Sequence, residues 1–571
     1  MVLSGSLPRS TGDDRARLDM TASHDPAPDE SAAATEVDVL VVGAGITGIY
    51  QLYRALESGF TARLLEAGAG VGGTWYWNRY PGARFDSESY TYGYLFSREL
   101  FEEWEWSEHF AAQPETERYL NHVVDRFGLR EHMRLGAGVT SADYDEVTHL
   151  WQVASADGTT VRARYVVAAT GVLSVPYLPD IPGGDEFAGE TYHTGQWPEH
   201  PVDLVGKRVA VVGTSSSGVQ VVAAIAAEVA SLTVYQRTPN WCTPLNNRPI
   251  TPEEQAELRA GFEQLREILN TSVHGFHHRA SDRGAFEDSA EERQRFYETM
   301  WNSPGFTKLT SNYLDLLSNP EANAEWCEFI AGKVRGIVAD PATADRLIPT
   351  DHRFGEKRPP FVAGYFEAFN QPNISLVDLR ENPIVRVVPT GIETADGVRE
   401  FDVIVWATGF DFGTGALSRM GIRGRDSVAL VDAWTDGPQT FLGVQTRGFP
   451  NLFFPGGPHA AAGNNPRYNG DQVDFITDLL VYARDHRFDE VEVSARSEER
   501  WTKMIDRGAA SPLSFGEKSY YYGTNIPGKP KRYLLNSAGR PKFFSVVAEV
   551  VANDYDAFVF AGASEPAPAT T

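Results

Sequence analysis

The chain has 571 residues, too many for one hydrophobic core, so two to four units of roughly 100–200 residues each are expected. Hydrophobic residues make up 42% and charged residues 22%, and the formal net charge is −26; such a surface repels nucleic acid and anionic membranes and leaves any phosphate ligand to be held by local groups. Two cysteines, Cys242 and Cys327, form neither a CxxC pair nor a metal-ligand spacing, so no metal is expected and a reducing, cytoplasmic setting fits.

Residues 1–35 are rich in Ala, Ser, Asp and Pro and lack the apolar run of a secretory signal, so they read as a disordered extension. VDVLVV at 37–42 reads as a buried parallel strand. GAGITG at 43–48 follows, then a helical stretch and the strand ARLLEAG, which together make a βαβ unit. The strand ARYVVAATG closes at Gly171, and the aromatic segment FAGETYHTGQWP at 187–198 precedes a second βαβ unit: KRVAVV, GTSSSG at 213–218, a helix, and SLTVYQR. Residues 246–345 carry charged helical periodicity and read as an insertion. FDVIVWATG closes at Gly409, a helix is expected over 473–485, and the tail 561–571 reads as flexible. No transmembrane segment is evident.

The fold class is therefore α/β, with two Rossmann-like dinucleotide-binding domains. In the first turn, Gly43 permits the tight bend, Gly45 lets backbone approach a pyrophosphate and Gly48 lets helix and strand pack closely. Glu66 ends the next strand, where a carboxylate accepts from both ribose hydroxyls; FAD or NAD fits. In the second turn, Gly213 and Gly218 keep their places but Ser215 replaces the middle glycine. Gln236 stands where Glu66 stands, 23 residues after the first glycine in each case, and Arg237 and Thr238 follow it. An amide followed by an arginine suits a 2′-phosphate, so NADP is expected there. With no redox-active cysteine pair to receive electrons from a flavin, oxygen is the natural acceptor.

FAGETYHTGQWP matches every fixed position of the fingerprint FxGxxxHxxxWP of Baeyer–Villiger monooxygenases, through Phe187, Gly189, His193, Trp197 and Pro198. GGTWYWNRYPGARFDSES at 72–89, with Gly73, Thr74, Trp75 and Asp86, and GEKRPPF at 355–361 also resemble that family, over roughly residues 36–550. The resemblance implies a discontinuous FAD domain (36–172 and 391–560), a discontinuous NADP domain (173–245 and 346–390), and the helical insertion of 246–345 within the latter. It implies that NADPH reduces FAD, that a flavin peroxide forms with O2, and that a ketone becomes an ester or lactone. Arg358 matches the catalytic arginine, Asp86 its carboxylate partner, and Lys357 a residue beside the NADP 2′-phosphate. KSYYYGTNIPGKP at 518–530 departs from the family in having Tyr520 where a tryptophan is usual. Asn525 and Lys529 are expected to order that loop, His459 to serve structure, and EWEWSEHF at 103–110 to pack. His193 and Trp197 are expected to stabilise the conformations of a domain boundary that moves during turnover. The ketone is expected to be cyclic or bulky and the protein a monomer. A sulfide or amine oxygenase and an NADPH-dependent flavoprotein reductase remain as alternatives at this point.

Overall fold

The computed structural model describes residues 35–461, 463–509, 519–536 and 538–562. The expected N-terminal extension and tail lie outside the described residues, apart from Thr35, which opens the first strand, and Ala561 and Gly562; Ala561 ends a strand, Phe558–Ala561, rather than starting a tail.

The first unit is built on an eight-stranded sheet. β1 (Thr35–Val42) lies between β2 (Ala62–Leu65) and β6 (Thr160–Ala168), parallel to both. β3 (Met133–Arg134) extends the β2 edge in parallel, whereas β4 (Val139–Asp145) and β5 (Leu150–Ser155) form an antiparallel meander beyond β6. The continuous apolar run of β1 is explained by burial on both faces. Val39 and Val41 enter one core with Ile49 and Leu52 of the helix Ile46–Glu57, while Leu40 and Val42 enter another with Trp151 and Phe454.

The second unit is a five-stranded parallel sheet. β8 (Arg208–Val212) pairs with β9 (Ser231–Gln236), which pairs with β10 (Ile374–Asp378). On the other side of β8 lies the strand Val403–Trp406, and outside it β7 (Glu190–His193). This corrects the boundary at 390/391 expected from sequence. The hairpin strands Gly391–Thr394 and Gly397–Glu400 pack back through Ile392 onto Ala210 and Val212, and Val403–Trp406 completes the second sheet. The chain returns to the first unit only afterwards, where Ile422–Arg423 pairs with β4.

The insertion is helical, and its main helices are Pro252–Ala260, Phe262–Thr271, Ala290–Asn302 and Pro320–Ile337. The first two, which read as one helical stretch in sequence, break at Gly261. Thr251 and Ser289 each start a helix through a reciprocal capping box, with Glu254 and Glu292 respectively. Tyr297, Trp326 and Ile330 share one apolar core with Val209 and Val211, so the insertion is packed onto the second sheet. The helix expected over 473–485 starts earlier, at Asn465, and runs to Asp485. Among the described residues no helix is long and apolar enough to cross a membrane.

Candidate active site

The two glycine turns share one backbone solution. Gly43 has φ +106° and Gly213 φ +110°; a Cβ would stand 2.7 Å from the Ala169 carbonyl oxygen at the first and 2.4 Å from that of Ala407 at the second. A Cβ on Gly48 would stand 1.8 Å from the Gly43 oxygen, and one on Gly218 2.1 Å from the Gly213 oxygen. The alanines of the two Ala-Thr-Gly segments, at 169 and 407, therefore have the same task of closing under a glycine turn, one in each sheet.

Both turns fit a phosphate ligand. The helix Ile46–Glu57 has no side-chain cap at Gly45 and no acid in its first turn; the helix Ser216–Ile225 has no side-chain cap at Ser215 and none either. Their first N–H groups are thus left for an outside acceptor, at the positive end of each helix. In the first unit the approach is widened by a second glycine backbone. A Cβ on Gly73 would lie 2.7 Å from the Gly45 Cα, so the bare backbones of Gly45 and Gly73 face each other. Thr74 and the buried Trp75 follow in a short helix.

Glu66 is buried at the end of β2, where Oε2 accepts from the Ala44 N–H at 2.6 Å and Oε1 from the Gly68 N–H at 2.7 Å. Burial raises its pKa, and these two amides oppose the rise. Gln236, its counterpart, turns away and donates to the Arg346 carbonyl at 2.8 Å. Arg237 and Ser215 are exposed beside it, and Thr238 accepts from the Thr214 hydroxyl through its carbonyl at 3.0 Å. Lys357 is half-buried and close to Asp351 and His352. Burial raises the Asp351 pKa, but the hydrogen bond from His352 and then the Lys357 charge outweigh it; for His352, burial lowers the pKa and Lys357 adds to that.

Arg358 lies between the units. Its Nη2 donates to Asp86 Oδ1 at 2.5 Å and its Nη1 to Ser216 Oγ at 3.1 Å, with the guanidinium 5.2 Å from the centre of the Phe306 ring. Burial opposes its charge, but Asp86, then Tyr520 and Tyr521, outweigh burial and raise its pKa. Tyr520 and Tyr521 pack edge-on against Phe412. Lys518, at the head of that expected segment, lies outside the described residues. Asn525 donates to the Phe410 carbonyl, and Lys529 to Asp411 and the Phe412 carbonyl, so the loop is fastened to the segment that follows the second Ala-Thr-Gly.

The aromatic fingerprint joins these pieces. His193 ends β7, an edge strand of the second sheet rather than a free connector. Its Nδ1 accepts from the Gly195 N–H at 2.9 Å and its ring meets Phe410 edge-on. Burial lowers its pKa to about 4, so the ring is neutral at pH 7. A Cβ on Gly189 would lie 2.5 Å from the Asp402 oxygen. Phe187 joins the outer core of the second sheet, and buried Trp197 donates its backbone N–H to the Trp77 carbonyl at 3.0 Å. Pro198 follows, and Tyr76 donates to Glu199. Tyr80 reaches across in the same way and donates to Gln220 Oε1 at 2.7 Å. The segment 72–89 is thus a bridge between the two units.

His459 is fully buried, bonded through Nδ1 to the Thr440 hydroxyl at 2.9 Å. Trp106 and Phe110 of the 103–110 cluster are also buried. Sequence reading missed Ser216, Phe306, Glu88 and His278. Only the paired His277–His278 gave a signal, because the groups they meet are remote in sequence. Cys242 and Cys327 are free thiols whose pKa values burial pushes up to about 12.

Comparison with known proteins agrees with this geometry. The family described as pyridine nucleotide-disulphide oxidoreductase matches residues 40–297. A Pseudomonas putida protein, 2-oxo-Δ3-4,5,5-trimethylcyclopentenylacetyl-CoA monooxygenase, is 41% identical over 93% of this chain and 99% of its own length. A Baeyer–Villiger monooxygenase of Pseudooceanicola batsensis is 35% identical over 92% of this chain and 96% of its own. The crystal structure of OTEMO in complex with FAD and NADP superposes with a TM-score of 0.88, at 40% identity, over 93% of this chain and 100% of that one. The chain accordingly belongs to the Baeyer–Villiger monooxygenase family, the FAD- and NADP-dependent enzymes that its two glycine turns and its bridging segment anticipate.

Proposed function

We propose that Arg358 is the catalytic cation of this enzyme, that Asp86 orients it, and that the substrate is a cyclic or bulky ketone. The observation that carries the reading is the position of Arg358, bonded at once to Asp86 of the first unit and to Ser216 at the open helix end of the second. FAD is held by Gly43, Gly45, Gly48, Glu66 and the segment Gly73–Trp75, and NADP by Gly213, Ser215, Gly218, Arg237, Thr238 and Lys357. Together the bound cofactors supply hydride transfer and oxygen activation.

The protein's part is electrostatic. Insertion of oxygen beside a ketone carbonyl needs an unprotonated, negatively charged oxygen nucleophile. Arg358 provides a charge that no working pH removes, in a rigid planar fork. Asp86 takes one edge of that fork and fixes its direction. Tyr520, near enough to raise the pKa of Arg358, stands beside the same guanidinium. His193 stays neutral and packs the domain boundary, and it takes no proton in the reaction. The relative named for a cyclopentenyl ketone supports the ring preference.

Arg358→Ala is expected to keep FAD reduction by NADPH, read by stopped-flow absorbance, within a few-fold of the parent. Ester or lactone formation from cyclohexanone should fall by about 10²–10³, the scale for losing one preorganised charge donor. Product formed at the parental rate would remove Arg358 from the role. A panel from acetone through cyclohexanone to macrocyclic and steroid ketones, scored by NADPH-dependent product, tests the substrate class; a preference for acetone would overturn it.

A further inference from the structure

The helical insertion carries no nucleotide fingerprint, yet two of its segments reach the Arg358–Asp86 pair. The ring of Phe306 lies against the Arg358 guanidinium, 5.2 Å from centre to carbon, and a Cβ on Gly305 would stand 2.7 Å from the Asp86 carbonyl oxygen. Thr310, on the following turn, donates its hydroxyl to the Phe306 carbonyl at 3.0 Å. That hydroxyl has one hydrogen, so toward His278 Nδ1, at 2.7 Å, it acts as acceptor, and Nδ1 carries a proton. The other ring nitrogen, Nε2, stands 2.7 Å from Glu88 Oε1, and both side chains are buried, 3% and 2% exposed. Phe276 stacks on His278 at 5.2 Å with an interplanar angle of 4° and meets Phe306 at 5.0 Å. Glu88 is two residues beyond Asp86. These contacts, with the chain itself leading from Asp86 to Glu88, close a ring: Arg358, Asp86, Glu88, His278, Thr310, Phe306 and back to Arg358.

We infer that His278 and Glu88 form a charged clasp through which the helical insertion positions the Arg358–Asp86 pair for oxygen insertion. The inference rests on the catalytic reading of Arg358 above. His278 is a positioning residue and touches no reacting atom. With Nδ1–H committed to Thr310, the short Nε2–Oε1 contact requires a second proton. Glu88 holds its charge: burial raises its pKa, but the bond to His278 and the neighbouring His277 outweigh burial and lower it. The clasp is therefore imidazolium against carboxylate. The other titratable groups facing it are His277, Tyr90 and His109, with Arg248 and Glu254 behind the last two. Removing either partner leaves the other buried and without its 2.7 Å hydrogen bond. The ring then opens at Glu88, and Asp86 loses its register with Arg358.

The test uses the FAD-loaded enzyme with NADPH and cyclohexanone, reading ester formed per NADPH consumed and, separately, the rate of flavin reduction. Glu88→Gln and His278→Ala should each lower coupling at pH 7 by about 5-fold or more, with flavin reduction unchanged. The double variant should be no worse than either single one, because the two residues act as one unit. His278→Gln, whose amide can still donate to Glu88, should restore most of the coupling lost in His278→Ala, which a merely structural role for the ring would not predict. Coupling within 2-fold of the parent in both single variants, while Arg358→Ala is inactive, would overturn the clasp and leave the arginine reading intact. One zinc per chain in the purified protein, lost in His278→Ala, would assign Glu88, His277 and His278 to a metal and also overturn it.

Discussion

The two glycine turns are built alike and finished differently. Gly43 and Gly213 share a positive φ, and each sits under the carbonyl of an alanine at the end of a neighbouring strand, Ala169 or Ala407. Hard contacts of backbone on backbone dictate that much, and they are indifferent to the ligand. The difference lies one strand later. Glu66 holds the Ala44 and Gly68 amides with a buried carboxylate, whereas Gln236 turns to the Arg346 carbonyl and leaves exposed Arg237 at the rim. Shared geometry thus builds two like turns, and in the function proposed above the residue at the strand end selects which dinucleotide each takes.

The largest expected effect breaks the two turns separately. A Cβ at Gly48 or Gly218 would fall 1.8 Å or 2.1 Å from a carbonyl oxygen, so Gly48→Ala and Gly218→Ala must each part a helix from its strand. That costs about 3 kcal/mol, at the upper end of overpacking penalties. Gly48→Ala should purify without FAD. Gly218→Ala should retain FAD, shown by its absorbance, and lose rapid reduction by NADPH. Loss of FAD from both variants alike would mean that the units do not divide the cofactors between them.

These turns were legible because the φ and close approach they need are local and only glycine meets them. The strand-end contrast was legible from a fixed spacing. The boundary after 390 was not. Two strands end in Ala-Thr-Gly, and sequence does not say which sheet each joins; the hairpin between Ile384 and Glu400 carries Val403–Trp406 back to β8. Ser216, Phe306 and His278 were illegible for a related reason. Each is ordinary in its own segment; Ser216 and Phe306 meet Arg358, and His278 meets Glu88, two residues from Asp86, only in the folded chain.

A smaller effect sharpens the strand-end contrast. Arg237→Ala should lower kcat/KM for NADPH relative to NADH by about 10–100-fold, the value of one or more hydrogen bonds between charged groups. Gln236→Glu should do the same with Arg237 still present, since a carboxylate repels the 2′-phosphate. An unchanged NADPH to NADH ratio in both variants would detach nucleotide choice from this strand end.

The smallest effect is silent at neutral pH. β7 is an edge strand of the second sheet, and burial holds the His193 at its end at a pKa of about 4, against about 6.5 unfolded. The unfolded chain therefore binds the proton first as pH falls, and stability from a neutral buried ring drains away between about pH 6.5 and 4. At pH 5 the loss is about 2 kcal/mol. His193→Gln places an amide that accepts from the Gly195 N–H but does not titrate. Its Tm is expected to fall less than the parent's between pH 7.5 and 5.0, and this difference isolates the histidine from the carboxylates that weaken both proteins in acid. Parallel Tm curves would mean that His193 is hydrated and titrates freely, and that the boundary between the units is looser than its packing against Phe410 and Gly195 implies.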